Sequence, residues 1–110
     1  VPINWHLKSD EVAYILADSG AEILVCHTDL LPQVWDGLPK RLKLLVVETP
    51  PEIAAAFGLS SETISVPDHL VNWNSWRDSH LPSREPPARA SPMFYTSGTT
   101  GRPKGVRRQP

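Results

Sequence analysis

Ser9-Asp10-Glu11-Val12-Ala13-Tyr14-Ile15-Leu16-Ala17-Asp18-Ser19-Gly20-Ala21-Glu22-Ile23-Leu24-Val25-Cys26 sets a helical pattern directly before a short apolar run. Ser9 is a capping residue, and Asp10 and Glu11 put negative charge on the first helical turn, where the helix dipole favours it. Val12, Ile15, Leu16 and Ser19 recur at i, i+3, i+4 and i+7, so one helix face is mainly apolar. Gly20 accepts the left-handed conformation that ends a helix. Ala21 to Cys26 is too short for a helix and rich in Ile, Leu and Val, which predicts a buried strand. The rhythm then repeats. Thr28 or Asp29 caps a second helix through Trp35, with Pro32 tolerated near its start and Gly37 and Pro39 ending it. Leu42 to Glu48, centred on Leu44-Leu45-Val46-Val47, reads as a second buried strand. Helix, strand, helix, strand predicts an α/β fold in which the two strands are parallel neighbours covered by helices.

Working outward, Glu52 to Phe57 reads as a short helix after Pro50-Pro51, and Leu59 to Pro67 as loop with a short extended piece. Trp73 and Trp76 are three apart, which puts both on one face of a short helix from Asn72 to Ser79. Such an aromatic pair either lines a ligand pocket or anchors a peripheral helix to the core. Residues 81–92 form a proline-rich connector, and Met93-Phe94-Tyr95 a brief strand after it. No internal repeat is present.

The chain has 110 residues, 40% of them hydrophobic, which suits one small folded domain. The formal net charge of −1 names no partner, but its distribution is uneven. The last carboxylate is Glu85, and beyond it lie Arg89, Arg102, Lys104, Arg107 and Arg108. A positive segment of this kind serves an anion such as phosphate, or is a solvated basic tail. Cys26 is the only cysteine, so no intramolecular disulfide forms; in an apolar run it reads as a small core residue rather than a nucleophile. His6, His27, His69 and His80 lack metal-ligand spacing. No run approaches the ~20 apolar residues of a membrane span, and no signal peptide is visible, which together with the single thiol points to a cytoplasmic setting. The opening Val1-Pro2-Ile3-Asn4 and the close at Arg108-Gln109-Pro110 read as internal sequence of a longer protein.

Residues 95–106 read Tyr95-Thr96-Ser97-Gly98-Thr99-Thr100-Gly101-Arg102-Pro103-Lys104-Gly105-Val106. Glycines let the backbone turn tightly and bring its N–H groups close to phosphate oxygens. Thr96, Ser97, Thr99 and Thr100 add hydroxyl donors. Lys104 adds a mobile point charge able to follow a phosphate, and Pro103 beside it limits how far the loop wanders. The order excludes a Walker loop, which needs Gly-Lys followed by Ser or Thr. The glycine spacing also excludes the dinucleotide fingerprint Gly-x-Gly-x-x-Gly. A phosphate-binding loop of another kind remains, or a Thr/Gly-rich hairpin turn with no ligand.

This stretch resembles the signature of the adenylate-forming (AMP-binding) superfamily, which includes acyl-CoA synthetases, luciferases and peptide-synthetase adenylation domains. Only Arg102 falls on a variable site. Val1-Pro2-Ile3-Asn4, Asp10-Glu11-Val12-Ala13-Tyr14-Ile15-Leu16 and Asp18-Ser19-Gly20-Ala21 also resemble these ligases, while residues 50–90 match weakly. The resemblance implies that residues 1–110 are the parallel-sheet portion of a large N-terminal α/β domain, ending at the phosphate-binding loop. The partners within the protein are then the rest of that domain and a small C-terminal domain. It implies a two-step reaction in which a carboxylate attacks the α-phosphate of Mg·ATP and a thiol, usually coenzyme A, displaces AMP. Thr96, Ser97, Gly98, Thr99, Thr100, Gly101 and Lys104 would hold the β- and γ-phosphates, Lys104 as the catalytic cation and Thr96 nearest to Mg²⁺. By the same analogy the acid is a fatty acid, or the enzyme loads a carrier protein. A non-catalytic anion-binding module using Arg102 to Arg108 on nucleic acid is a further alternative. The lack of aromatic residues among these arginines counts against stacking on bases, and no nucleic-acid partner is expected.

Overall fold

In the computed structural model, which describes residues 1–82, 84, 85, 88, 90–96 and 104–107, the opening helical pattern becomes α1, Ser9–Ser19. The capping position falls on Lys8, one residue before the expected Ser9. The Glu11 carboxylate reaches back to accept from the Lys8 N–H at 3.2 Å, so the chain end is closed by an acidic side chain in the first turn rather than by a serine hydroxyl. Gly20 ends the helix as anticipated, at φ 69°. Val12, Ile15 and Leu16 are each 2% exposed, so the apolar stripe is the buried one.

The expected parallel strands are present and adjacent. β1 is Ile23–His27 and β2 is Lys43–Val47, paired in parallel from Ile23 against Lys43 to His27 against Val47. β1 begins two residues later than the apolar run and is not buried throughout: Ile23 and Val25 are each 48% exposed. Its other face, carrying Leu24 and Cys26, packs against Val12, Leu16 and Val34. The connection between the strands is not one helix. It runs as a 3-10 turn at Thr28–Leu30, the single α-turn α2 at Leu31–Val34, and another 3-10 turn at Trp35–Gly37. Pro32, in the first α-turn, has no N–H to give, and Gly37 sits where a Cβ would overlap the Ser9 carbonyl. The last turn is pinned there against the start of α1.

α3, Pro51–Phe57, begins on a proline and ends at Gly58 with φ 64°. The predicted loop at 59–67 instead contains a short helix, α4, Ser61–Ile64. Ser60 caps it, its hydroxyl accepting from the Thr63 N–H at 3.4 Å. A third strand that the sequence pattern does not announce, β3 at Val71–Asn72, pairs in parallel with β2 and gives the order β1-β2-β3. Asn72 then caps α5, Trp73–Asp78, accepting from Asn74 N–H at 2.9 Å. The Trp73 and Trp76 rings stack at 5.8 Å, and the Lys43 ammonium lies 5.1 Å over Trp76. The tryptophan pair thus anchors α5 to β2.

The carboxyl ends of the strands are joined by side chains. Buried Thr28 donates to the Val47 carbonyl at 2.9 Å. Buried Thr49 donates to Asp29 Oδ1 at 2.7 Å and accepts from the Asp29 N–H at 3.1 Å. The described residues of the 81–92 connector belong to no helix or strand. A separate antiparallel pair follows, β4 at Met93–Thr96 and β5 at Lys104–Arg107.

Two outcomes test this packing. Leu45→Ala, at a side chain 1% exposed, should lower unfolding free energy by about 2–5 kcal/mol in urea titrations. Thr49→Val strips both hydrogen bonds from Asp29 and should lower it by about 1–3 kcal/mol, and an unchanged midpoint would show that the clasp is idle. Burial first, and then the Asp29 charge, push the Cys26 thiol from 9.0 up to about 11. Only the thiolate reacts, so alkylation by iodoacetamide at pH 8 should run about a hundredfold slower than for a free cysteine, accelerating only as pH climbs towards 11.

Candidate functional site

Met93-Phe94-Tyr95-Thr96 is a run of strand-forming residues, and it pairs in the register Met93–Arg107, Phe94–Val106, Tyr95–Gly105 and Thr96–Lys104. Side chains alternate along each strand, so Phe94, Thr96, Lys104 and Val106 share one face, while Met93, Tyr95, Gly105 and Arg107 share the other. The first face is open: Phe94 and Val106 are about half exposed, and Thr96 and Lys104 are exposed.

The structure therefore brings together two of the residues singled out from the sequence. Thr96 and Lys104 face each other at the mouth of the loop. The Thr96 hydroxyl donates to the Lys104 carbonyl over a long 3.4 Å, which leaves its lone pairs available. Ser97, Gly98, Thr99, Thr100 and Gly101 lie outside the described residues. A hydroxyl and an ammonium on one exposed face, at the two ends of a glycine-rich connection, form a donor set suited to a polyanion. The hydroxyl oxygen is also a hard ligand of the kind Mg²⁺ takes.

The second face is anchored. A Cβ at Gly105 would overlap the Met93 terminal methyl and lie 3.1 Å from Tyr95 Cζ. The Tyr95 ring thus packs directly over Gly105 as it crosses β5. The Tyr95 hydroxyl continues to Asp18 at the end of α1, donating to Oδ2 at 2.6 Å. Desolvation, then this hydrogen bond and the Asp18 charge, with Tyr14 adding to them and Ser19 opposing, push the phenol up to about 12. It stays the protonated donor throughout the neutral range. Sequence reasoning did not pair these residues. They lie 77 positions apart, and no local pattern links a strand tyrosine to a helix-end aspartate.

A cavity of about 590 Å³ lined by Trp5, His27, Asp29, Gln33, Phe57 and Leu59 shares no residue with the hairpin. Among the described residues no group of three or more His, Cys, Asp or Glu is placed to hold a metal ion. Among them, too, no helix is long and apolar enough to cross a membrane.

The chain is similar in sequence to known proteins. The chain is 35% identical over 111 residues to the fatty acid–acyl-carrier-protein ligase ScoC of Streptomyces coeruleorubidus, covering 96% of this chain and 17% of that protein. It is 33% identical over 112 residues to the medium-chain acyl-CoA ligase Mig of Mycobacterium avium, covering 94% of this chain and 18% of that one. Tyrocidine synthase 3 of Brevibacillus parabrevis is 34% identical over 109 residues, covering 96% of this chain and 1% of the synthase. The chain thus spans less than a fifth of the length of these relatives. No solved structure matches it. The family model for AMP-binding enzymes matches residues 1–108, and the chain belongs to that family.

Proposed function

We propose that these residues are the part of an ATP-dependent acid–thiol ligase that grips the leaving pyrophosphate, in a protein that activates a fatty acid as its acyl-adenylate and passes it to coenzyme A. The observation that carries this reading is the facing pair Thr96 and Lys104, set across the ends of the glycine-rich connection in a chain matching AMP-binding enzymes over 1–108. Attack of the carboxylate on the α-phosphate breaks the bond to the β-phosphate, and negative charge gathers on the departing pyrophosphate. Donors already aimed at that charge stabilise it without reorganising. Lys104 supplies the positive charge, and Thr96 with Ser97, Thr99 and Thr100 supplies hydroxyls. Gly98 and Gly101 would add backbone N–H groups to this donor set. Thr96 is the residue for Mg²⁺, which when bound neutralises phosphate charge and orients the chain for in-line displacement. The protein works in the cytoplasm on small molecules, without nucleic acid.

A second acceptor is favoured by one relative in particular, which is described as an acyl-carrier-protein ligase. Mass spectrometry of the thioester formed with either coenzyme A or a phosphopantetheinylated carrier protein separates the two readings. Transfer to the carrier alone would replace coenzyme A in the proposal.

In the full-length protein, Lys104→Ala should slow acid-dependent exchange of labelled pyrophosphate into ATP by about 10²–10³-fold. The KM for the carboxylate should change little. Unaltered exchange would remove Lys104 from the mechanism. The 110 residues by themselves should show no ligase turnover and weak ATP binding. Holding two reactants in line supplies about 7–11 kcal/mol of barrier reduction, and a loop that meets only the phosphates cannot hold the acid. Pyrophosphate release by the purified 110-residue chain, given fatty acids, ATP and coenzyme A, would overturn this assignment.

A further inference from the structure

We propose that Asp18 is a positioning residue for the phosphate-binding hairpin: by holding the Tyr95 hydroxyl, it sets the base of the hairpin against the end of α1 and so fixes the direction in which Thr96 and Lys104 present their donors. Its catalytic consequence rests on the ligase reading above; the tether itself does not.

The geometry has three parts. The anchor is firm, because Asp18 sits in the last turn of a helix whose Val12, Ile15 and Leu16 are each 2% exposed. Just beyond it Gly20 turns the chain at φ 69°, and the Ser19 hydroxyl accepts from the Ala21 N–H at 3.3 Å. The link is short and charge-assisted, 2.6 Å from a phenol to a carboxylate oxygen. The load is adjacent. Tyr95 precedes Thr96 in β4 and lies opposite Gly105, which follows Lys104 in β5. Gly105 lets the tyrosine ring lie across β5, so one side chain restrains both strands.

A tie of this kind meets a physical need. A two-stranded pair of four residues each is marginally stable by itself. Its opposite face, with Phe94 and Val106 about half exposed, gives little packing within this chain. Donors contribute to catalysis only when held in place before the charge develops. Asp18 is not itself a phosphate ligand, since its carboxylate repels an anion. Its effect passes through Tyr95.

The test uses the full-length protein and four variants: Asp18→Ala, Asp18→Asn, Tyr95→Phe, and Asp18→Ala combined with Tyr95→Phe. Two readouts are taken. Amide hydrogen exchange over 93–96 and 104–107 should rise about tenfold in Asp18→Ala and in Tyr95→Phe, with α1 unchanged. Asp18→Asn retains an acceptor oxygen and should stay near the parent. In ATP–pyrophosphate exchange, Asp18→Ala and Tyr95→Phe should each raise the KM for ATP about tenfold while the KM for the acid moves less than twofold. The combined variant should be no worse than either single one. Effects that multiply in the combined variant, or hairpin protection unchanged in Asp18→Ala, would overturn the proposal. A parent protein without acid-dependent exchange would sink the ligase reading instead, and the hydrogen-exchange comparison would then decide the tether alone.

Discussion

Burial of Leu45 and Val46, neighbours on one strand that are 1% and 0% exposed, is the constraint from which the rest of the structure follows. Adjacent strand residues point to opposite faces, so β2 must be covered on both sides. On one face the register sets Leu44 and Val46 beside Leu24 and Cys26, which pack against Val12 and Leu16 of α1 and Val34 of α2. On the other, Trp76 of α5 lies under the Lys43 ammonium, and Lys43 shares a face with Leu45. A parallel partner for β2 also requires a connection that returns the chain to the starting end of the sheet. The broken helical passage from Thr28 to Gly37 provides it. β1 lies outermost in the strand order, which is why Ile23 and Val25 stay half exposed on the face opposite Leu24 and Cys26.

In open α/β sheets the carboxyl ends of the strands are the usual place for a ligand. Here the protein's own hydrogen bonds take up part of that place, beside the cavity lined by His27 and Asp29. Thr28 and Thr49 are buried, and their hydroxyls are matched to the Val47 carbonyl and to Asp29. These groups hold β1 and β2 together. Exposed donors also lie on the open face of the antiparallel pair, at Thr96 and Lys104.

Periodicity made α1, both long strands and their parallel pairing readable, because Val12, Ile15 and Leu16 obey the helical spacing and Leu44 to Val47 is too short and too apolar for anything but a strand. It failed where local and tertiary terms compete. The helix expected from Thr28 to Trp35 breaks into three turns around Pro32 and the close approach of Gly37 to Ser9. α4 is a single turn, below the length at which any pattern shows, although Ser60 is an ordinary cap. β3 consists of two residues and exists through pairing with Leu45 and Val46, which no local signal announces. Of the candidate site, Thr96 and Lys104 were legible from loop chemistry, and their facing register follows from the strands on either side. Ser97, Gly98, Thr99, Thr100 and Gly101 lie outside the described residues. The Tyr95–Asp18 link was not legible, since it depends on where a hairpin meets a helix 77 positions away.

On the proposed reading, the topology also bears on the uneven charge of the chain. A Walker loop leads into a helix, and the N-terminal end of that helix contributes a positive dipole to the phosphates. The connection after Thr96 leads into β5 instead, Lys104–Arg107. Strand dipoles largely cancel, so a sheet offers an anion almost no field of its own. Positive potential must then come from side chains. Beyond Glu85 the sequence carries Arg89, Arg102, Lys104, Arg107 and Arg108 with no carboxylate among them, and of the described ones Arg107 lies on the face opposite Lys104. Among these, Lys104 alone follows Pro103, faces the Thr96 hydroxyl and shares its exposed face. On the proposed reading, a flexible ammonium at that point stays with a pyrophosphate as it moves away, which a fixed dipole cannot do.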